Sequence, residues 1–488
     1  MMTIFSIKPL VAVLVSLLLP PILISSRSAN VREGWTFAIA SVKFLIVASM
    51  LPTILAGHKL SFTVAEVIPG VAIAFRVDAL GMLFALVAST LWIVTSAYSI
   101  GYMRSLKEHS QTRYFCFFAL ALSATIGVAF SANLLTMYLF YEMLSFATYP
   151  LVTHHQDREA RASGRRYLFY IVGTSIGLVL PAMLICYHLT GTLEFTPNGI
   201  LSGVASPRLI ALLLFMFVLG FAKAAIMPMH GWLPAAMVAP TPVSALLHAV
   251  AVVKVGVFSI ARVVTGIFGV DLLSATHLGT AICYLAGFTV VVASLIALSQ
   301  DGLKRRLAFS TIGQLAYIVL GLALLSPLGM TGGLTHIAMH AFGKITLFFC
   351  AGAIFVATGK KYISEMTGIG KRMPITMCAF FIGSLSVIGL PPTGGFFSKW
   401  YLVLGTLESG QTAMLIVLLV SSLLNAAYFL PIVYNAFFCA PEQSLFKDEI
   451  KEAPLWCVVP PVITAVASVA LFFYPTLFKK LAQLALAP

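Results

Sequence analysis

Charge is what this chain has least of. Only 9% of its residues are Asp, Glu, Lys or Arg, and just 16 of 488 are acidic, whereas about a quarter of a soluble domain is charged. Together with a 60% hydrophobic content, that scarcity excludes both a soluble globular domain and a disordered chain. Redox and metal patterns are missing too. The seven cysteines stand singly, with no CxxC pair, no Cys/His spacing and no iron–sulfur set, and there is no glycine-rich dinucleotide loop. Neither a cofactor nor a metal ion is expected, and the thiols read as packed or lipid-facing. The longest hydrophilic pieces, "THHQDREARASGRR" and "APEQSLFKDEIKEAP", are loop-sized. A cleavable leader is also lacking, so the apolar N-terminus is expected to be a retained first helix.

What is present is one apolar run after another. A bilayer core of about 30 Å takes about 20 residues of helix. Such runs lie near 4–25, 35–56, 79–101, 114–130, 132–152, 166–190, 208–229, 243–266, 275–299, 306–325, 331–357, 374–405, 411–438 and 454–477. The expected fold is an all-α polytopic membrane protein with about fourteen transmembrane helices. A net charge of +14 would suggest nucleic acid in a soluble chain. Here the basic residues fall mostly in short loops, where they set orientation, and no nucleic-acid partner is expected. Clusters such as Arg158, Arg161, Arg165 and Arg166, or Lys304, Arg305 and Arg306, follow odd-numbered runs. Those loops are expected to face the cytoplasm of a bacterial inner membrane, with both termini on the opposite side. Between the second and third runs, "LSFTVAEVIPGVAIAFRVDALG" alternates apolar and polar residues around Pro-Gly, which predicts a hairpin outside the membrane.

A few charges nevertheless fall inside the runs, where each costs about 2.5–3.5 kcal/mol if it faces lipid. Glu142 is the one acidic residue deep in a run; it is either a hydrogen-bonded packing carboxylate or a partner for Lys223. Lys223 is expected just before a helix break made by Pro228, Gly231 and Pro234, the arrangement found where irregular backbone lines a cavity. Lys254 follows His248 by six residues, about 240° round a helix, so the two face different walls. His336, His340 and Lys344 share one face at i, i+4 and i+8 and span about 12 Å. That stripe reads as a proton wire or as core hydrogen bonding; a zinc site lacks nearby carboxylate or thiol ligands. Lys399 follows a second break at Pro391, Pro392, Gly394 and Gly395. One lysine before its break and one after suggest two five-helix units of opposite topology, with helices seven and twelve broken. Lys43 and His188 read as side chains reaching for an interface.

Four stretches, "KAAIMPMHGWLPAAMVAPTPVSALLHA", "DGLKRRLAFSTIGQLAYIVLG", "HIAMHAFGKITLFF" and "GLPPTGGFFSKW", resemble the motifs of the antiporter-like membrane subunits shared by respiratory complex I, membrane-bound hydrogenases and multisubunit Mrp sodium/proton antiporters. The similarity covers roughly residues 70–440. Through "VKVGVFSIARV" and "GAIFVATGKKYISEMTGIGKRMP" the chain is most similar to the D-type Mrp antiporter subunits.

The resemblance implies N-terminal helices with the hairpin over 1–112, inverted repeats over 113–270 and 271–440, and a C-terminal helix over 441–488. It also implies a mid-membrane proton path. Glu142 matches the fifth-helix glutamate of a charge pair and Lys223 its lysine. Lys254 matches a connecting lysine, His248 and His336 or His340 the bridging histidines, and Lys399 the distal proton-holding residue; Lys344 matches a lysine found in some members only. The implied partners are other membrane subunits, the bilayer, protons and, as counter-ion, sodium. Two other readings stay open: a proton-pumping subunit of a redox-driven complex, and a structural scaffold of an ion-uptake complex.

Overall fold

The structure, a computed structural model, describes residues 2–26, 28–439 and 450–487. Most of the hydrophilic piece at 440–454, and the boundary expected at 440, therefore lie outside the described residues. In chain order the principal helices are α1 (Lys8–Ser25), α2 (Ala29–Leu55), α3 (Ala79–Ser105), α4 (Gln111–Ala129), α5 (Leu134–Val152), α6 (Arg158–Thr190), α7 (Pro207–Gly220) and α8 (Thr241–Phe268). They continue as α9 (Leu278–Leu298), α10 (Leu303–Ala323), α11 (Pro327–Thr358), α12 (Pro374–Ile388), α13 (Gly394–Glu408), α14 (Thr412–Phe438), α15 (Leu455–Phe473) and α16 (Thr476–Leu486). Among the described residues, 11 helices are long and apolar enough to cross a membrane. Every expected run carries a helix, and the run at 374–405 is split into α12 and α13. The starts follow local chemistry. Asp78 and Asn133 cap α3 and α5 by accepting from the Gly81 and Thr136 amides, and Ser206-Pro207 and Ser326-Pro327 open α7 and α11.

Burial is arranged for lipid rather than water. The apolar stretch of α8 is 100% buried against α3, α4, α10 and α11. Around it, Phe146, Phe169, Leu212, Phe288, Leu423 and Val466 are exposed on the outer helices. An apolar rim around a core that holds the polar groups suits a bilayer, where association rests on packing and interhelical hydrogen bonds.

The hairpin forms as expected. β2 (Lys59–Ile68) and β3 (Val71–Val77) pair antiparallel, Leu60 opposite Val77 and Ile68 opposite Val71, across a turn in which Gly70 adopts φ +75°. The first run begins differently from its expectation. Thr3–Phe5 form strand β1, parallel to β2, and helix starts only at Lys8. α16 packs on α3 and α11 and joins the hairpin and the loop before α11 in lining one cavity of about 330 Å³. Both ends of the described chain thus lie on the hairpin side.

Candidate functional site: a buried ionisable line

The break after α7 comes earlier than the prolines suggest. α7 stops at Gly220, and Lys223 lies within a tight turn, Ala222–Ala224, that ends with Ala225 at φ +54°. Lys223 is therefore in the interruption rather than ahead of it. Pro228 falls in the following turn, and Pro234 in a short helix, Trp232–Ala235. Two contacts hold the turn. The Trp232 indole donates to the Ala222 carbonyl at 2.8 Å, which also accepts from the Ala225 amide at 2.9 Å. Gly256 of α8 sits so close that a Cβ there would lie 2.1 Å from the Ala224 nitrogen.

The Lys223 ammonium donates to the Tyr141 carbonyl at 2.8 Å and to Ser145 Oγ at 2.7 Å, and it lies 3.2 Å from the Tyr141 ring centre. A direct ion pair with Glu142 is not formed; among the described residues no cationic nitrogen lies within 4.0 Å of its carboxylate. Tyr141 and Ser145 share a face at i, i+4, and Glu142 is turned about 100° from it. Both Glu142 oxygens are buried without a hydrogen-bond partner among the described residues. Its charge reaches Lys223 through space only.

On α8, His248 occupies a widened turn, Leu246–Val250. Both its ring nitrogens lack partners among the described residues, and the ring packs 4.6 Å from Phe348. Lys254 meets the same helix, α11, rather than a different wall: Nζ lies 2.5 Å from His340 Nδ1, because the widened turn at His248 upsets the 100° per residue on which the expected separation rests. His340 and His336 stack with centroids 5.7 Å apart. Beyond them, His336 Nδ1 lies 2.8 Å from Ser398 Oγ, and Nε2 lies 3.1 Å from Gln314 Oε1. Lys254, both histidines and Ser398 of α13 thus form one line, all of them buried.

Lys399, next to Ser398, reaches α12. That helix ends at Gly389 with φ +90°, leaving terminal carbonyls free, and the ammonium donates to Val387 at 2.8 Å and Ile388 at 3.0 Å. Carbonyl ends of a half-helix carry partial negative charge, which suits a cation. Pro391 and Pro392 lie in this break, whereas Gly394 and Gly395 already belong to the first turn of α13.

Lys344 leaves the line. Its ammonium donates to Ser310 Oγ at 2.8 Å; the Tyr428 hydroxyl donates to the same oxygen at 2.9 Å and also bonds Asn425. Gln314, Ser398, Tyr141, Ser145 and Ser310 are neutral, so the charge pattern of the sequence does not point to them. Gln314 alone carries a signal, as the lone carboxamide in the apolar run of α10.

Two further basic residues are buried in pairings of their own. Lys43 does not reach an interface: it is fully buried and donates to Ser16 Oγ at 2.6 Å, because α1 and α4 close over it. Arg262, within the eighth run, lies in α8 and grips Asp78 through two bonds of 2.5 and 2.7 Å. Burial pushes the Asp78 carboxyl up, but the charge and hydrogen bonds of Arg262, aided by Arg76 and the Gly81 amide, outweigh it and bring the pKa down to about 2.

Fold and site together define a multi-pass helical membrane protein with ionisable groups strung between broken helices. The chain belongs to the NADH:quinone oxidoreductase/Mrp antiporter transmembrane family, whose model matches residues 131–425; residues 69–115 match the complex I chain 5 N-terminus. NADH-quinone oxidoreductase subunit N of Desulforudis audaxviator is 36% identical over 80% of this chain and 77% of its own length. Na(+)/H(+) antiporter subunit A1 of Staphylococcus haemolyticus is 29% identical over 92% of the chain, which spans 59% of that longer relative. The chain covers about half, 49%, of NAD(P)H-quinone oxidoreductase chain 5 from Synechocystis. In fold, it matches a chain of the Mrp complex from Dietzia sp. with TM-score 0.87 and 23% identity, over 99% of this chain and 96% of the other. A chain of the archaeal membrane-bound sulfane sulfur reductase matches equally, with TM-score 0.87, 24% identity and coverage of 98% and 96%.

Proposed function

We propose that this chain is a proton-translocating subunit of a multisubunit, Mrp-like cation/proton antiporter. The observation that carries the reading is the 2.5 Å contact between Lys254 Nζ and His340 Nδ1, which continues through His336 to Ser398. An ammonium donating to an imidazole nitrogen can hand that proton over, leaving an amine and an imidazolium. His340 Nε2, which has no partner among the described residues, then releases a proton toward the stacked His336 ring. From His336 the Ser398 hydroxyl relays it to the neighbourhood of Lys399, whose carbonyl cradle holds the charged form until release. Glu142 and Lys223 bias loading of Lys254 through space, since adding a like charge nearby opposes protonation.

The remaining details extend the same proposal. The fourteen crossings, the inverted repeats over 113–270 and 271–440, and helices seven and twelve broken at Lys223 and before Lys399 suit alternating half-channels. The D-type role rests on the quoted motif stretches. The basic clusters favour a bacterial inner membrane with both termini outside. Sodium, a hard cation, wants several oxygen ligands, and a core rich in lysine favours a sodium path in a partner subunit.

The test is exchange in membrane vesicles carrying the assembled complex. Lys254→Ala and His340→Ala are each expected to abolish proton-coupled exchange while the complex still assembles; wild-type exchange in both rejects the reading. The identity with a quinone oxidoreductase subunit N favours a second reading, a pumping role powered by redox chemistry elsewhere in a larger complex. Purifying the native complex separates the two: small membrane subunits favour the antiporter, and cluster-bearing partners favour the redox complex.

A further inference from the structure

Away from the membrane core, the turn joining α3 to α4 meets the turn that follows α5. Glu108 and His109 stand on the first, and His154 and His155 on the second. Ligand atoms of Glu108, His109 and His154 all lie within 4.8 Å of one another. Glu108 Oε2 is 3.9 Å from His109 Nδ1, 3.7 Å from His154 Nε2 and 3.7 Å from His155 Nδ1. These distances are too long for hydrogen bonds. They are close to the spacing of ligands around one metal ion: bonds of about 2.0–2.1 Å to a tetrahedral centre put neighbouring ligand atoms about 3.3 Å apart.

His154 supplies an independent observation. Its side chain is 0% exposed, yet neither ring nitrogen has a hydrogen-bond partner among the described residues. Leaving a buried polar group unpaired is costly, and here Nε2 faces a carboxylate oxygen with room for an ion between them. The opposite side is open, since the His109 side chain is 49% and the His155 side chain 35% exposed. An ion can therefore enter from water and meet a closed back wall.

We propose that Glu108, His109 and His154 bind one divalent transition-metal ion of the zinc class. Imidazole-rich sites with one carboxylate suit zinc and its borderline neighbours, whereas magnesium and calcium demand mainly oxygen. Arg113, which donates to the His154 carbonyl at 2.8 Å, adds positive charge nearby. When filled, the site ties the α3–α4 turn to the end of α5, the helix that carries Glu142.

The test uses the full chain purified without a histidine tag, dialysed against zinc and then against a mild chelator. Wild type is expected to retain one equivalent of zinc, to show the intense visible bands of tetrahedral cobalt when Co²⁺ replaces it, and to unfold at a higher temperature with metal. His109→Ala changes a group at the open side and Glu108→Gln keeps the side chain's shape, so folding is expected to survive, and each is expected to weaken binding at least about tenfold. His154→Ala is the stronger variant, and its own melting curve reports whether it folds. No retained zinc in wild type, or equal retention in wild type and the His109 and Glu108 variants, overturns the assignment.

Discussion

Lys254 Nζ and His340 Nδ1 lie 2.5 Å apart, although the residues come from different helices and neither is paired with a carboxylate among the described residues. Replacing His340 by Gln keeps a polar group but removes the proton relay. Exchange in vesicles is expected to fall about a hundredfold or more, the usual loss for a positioned proton-transfer group. Lys254→Ala should cost as much, and the double variant no more than either single one. Additive losses would mean that the two groups act separately.

Gly256 leaves no space for a side chain, because a Cβ would lie 2.1 Å from Ala224 N and 2.3 Å from Lys223 C. Gly256→Ala is expected to destabilise the protein by about 1–3 kcal/mol, the range for forcing atoms into a packed core. It should also displace Lys223. Thermal unfolding in detergent, together with exchange activity, checks both parts; an unchanged melting temperature counts against the close packing.

Much of this is legible in the sequence, and the reasons differ by residue. Apolar runs are dictated by the bilayer, so each such stretch carries a helix. The i, i+4 spacing places His336 and His340 together, whereas the widened turn at His248 brings it and Lys254 onto one helix despite their six-residue offset. What the sequence hides depends on a neighbour's geometry. Which wall of α5 Lys223 meets is set by how α7 packs, so Tyr141 and Ser145, rather than Glu142, receive the ammonium. Lys43 looks peripheral because its buried surroundings are supplied by α1 and α4. The Glu108 and His154 cluster is invisible for the same reason, since its members sit on turns far apart in sequence.

Glu142 has no hydrogen-bond partner to lose among the described residues. Glu142→Gln is therefore expected to leave the melting temperature unchanged or raise it, because a buried unpaired charge disfavours folding, while exchange is lost. A large drop in stability would assign Glu142 a packing role instead.

Asp78 gives a pH dependence with a defined sign. Its folded pKa of about 2 lies below the ordinary 3.8, so the Arg262 pair stabilises the protein fully above about pH 4 and the contribution fades as pH falls toward 2. The size is about 2 kcal/mol. Asp78→Asn should melt well below wild type at pH 7, and the gap should narrow in acid. A gap that stays constant down to pH 3 would contradict this.

The end of α12 has a consequence for Lys399 in the proposed proton path. Peptide dipoles are permanent: unlike a carboxylate, they cannot be discharged by capturing a proton. A lysine seated on Val387 and Ile388 can become a neutral amine and return to an ammonium without stranding a bare anion in the bilayer. In the proposed proton path, that position can therefore empty and refill at little electrostatic penalty.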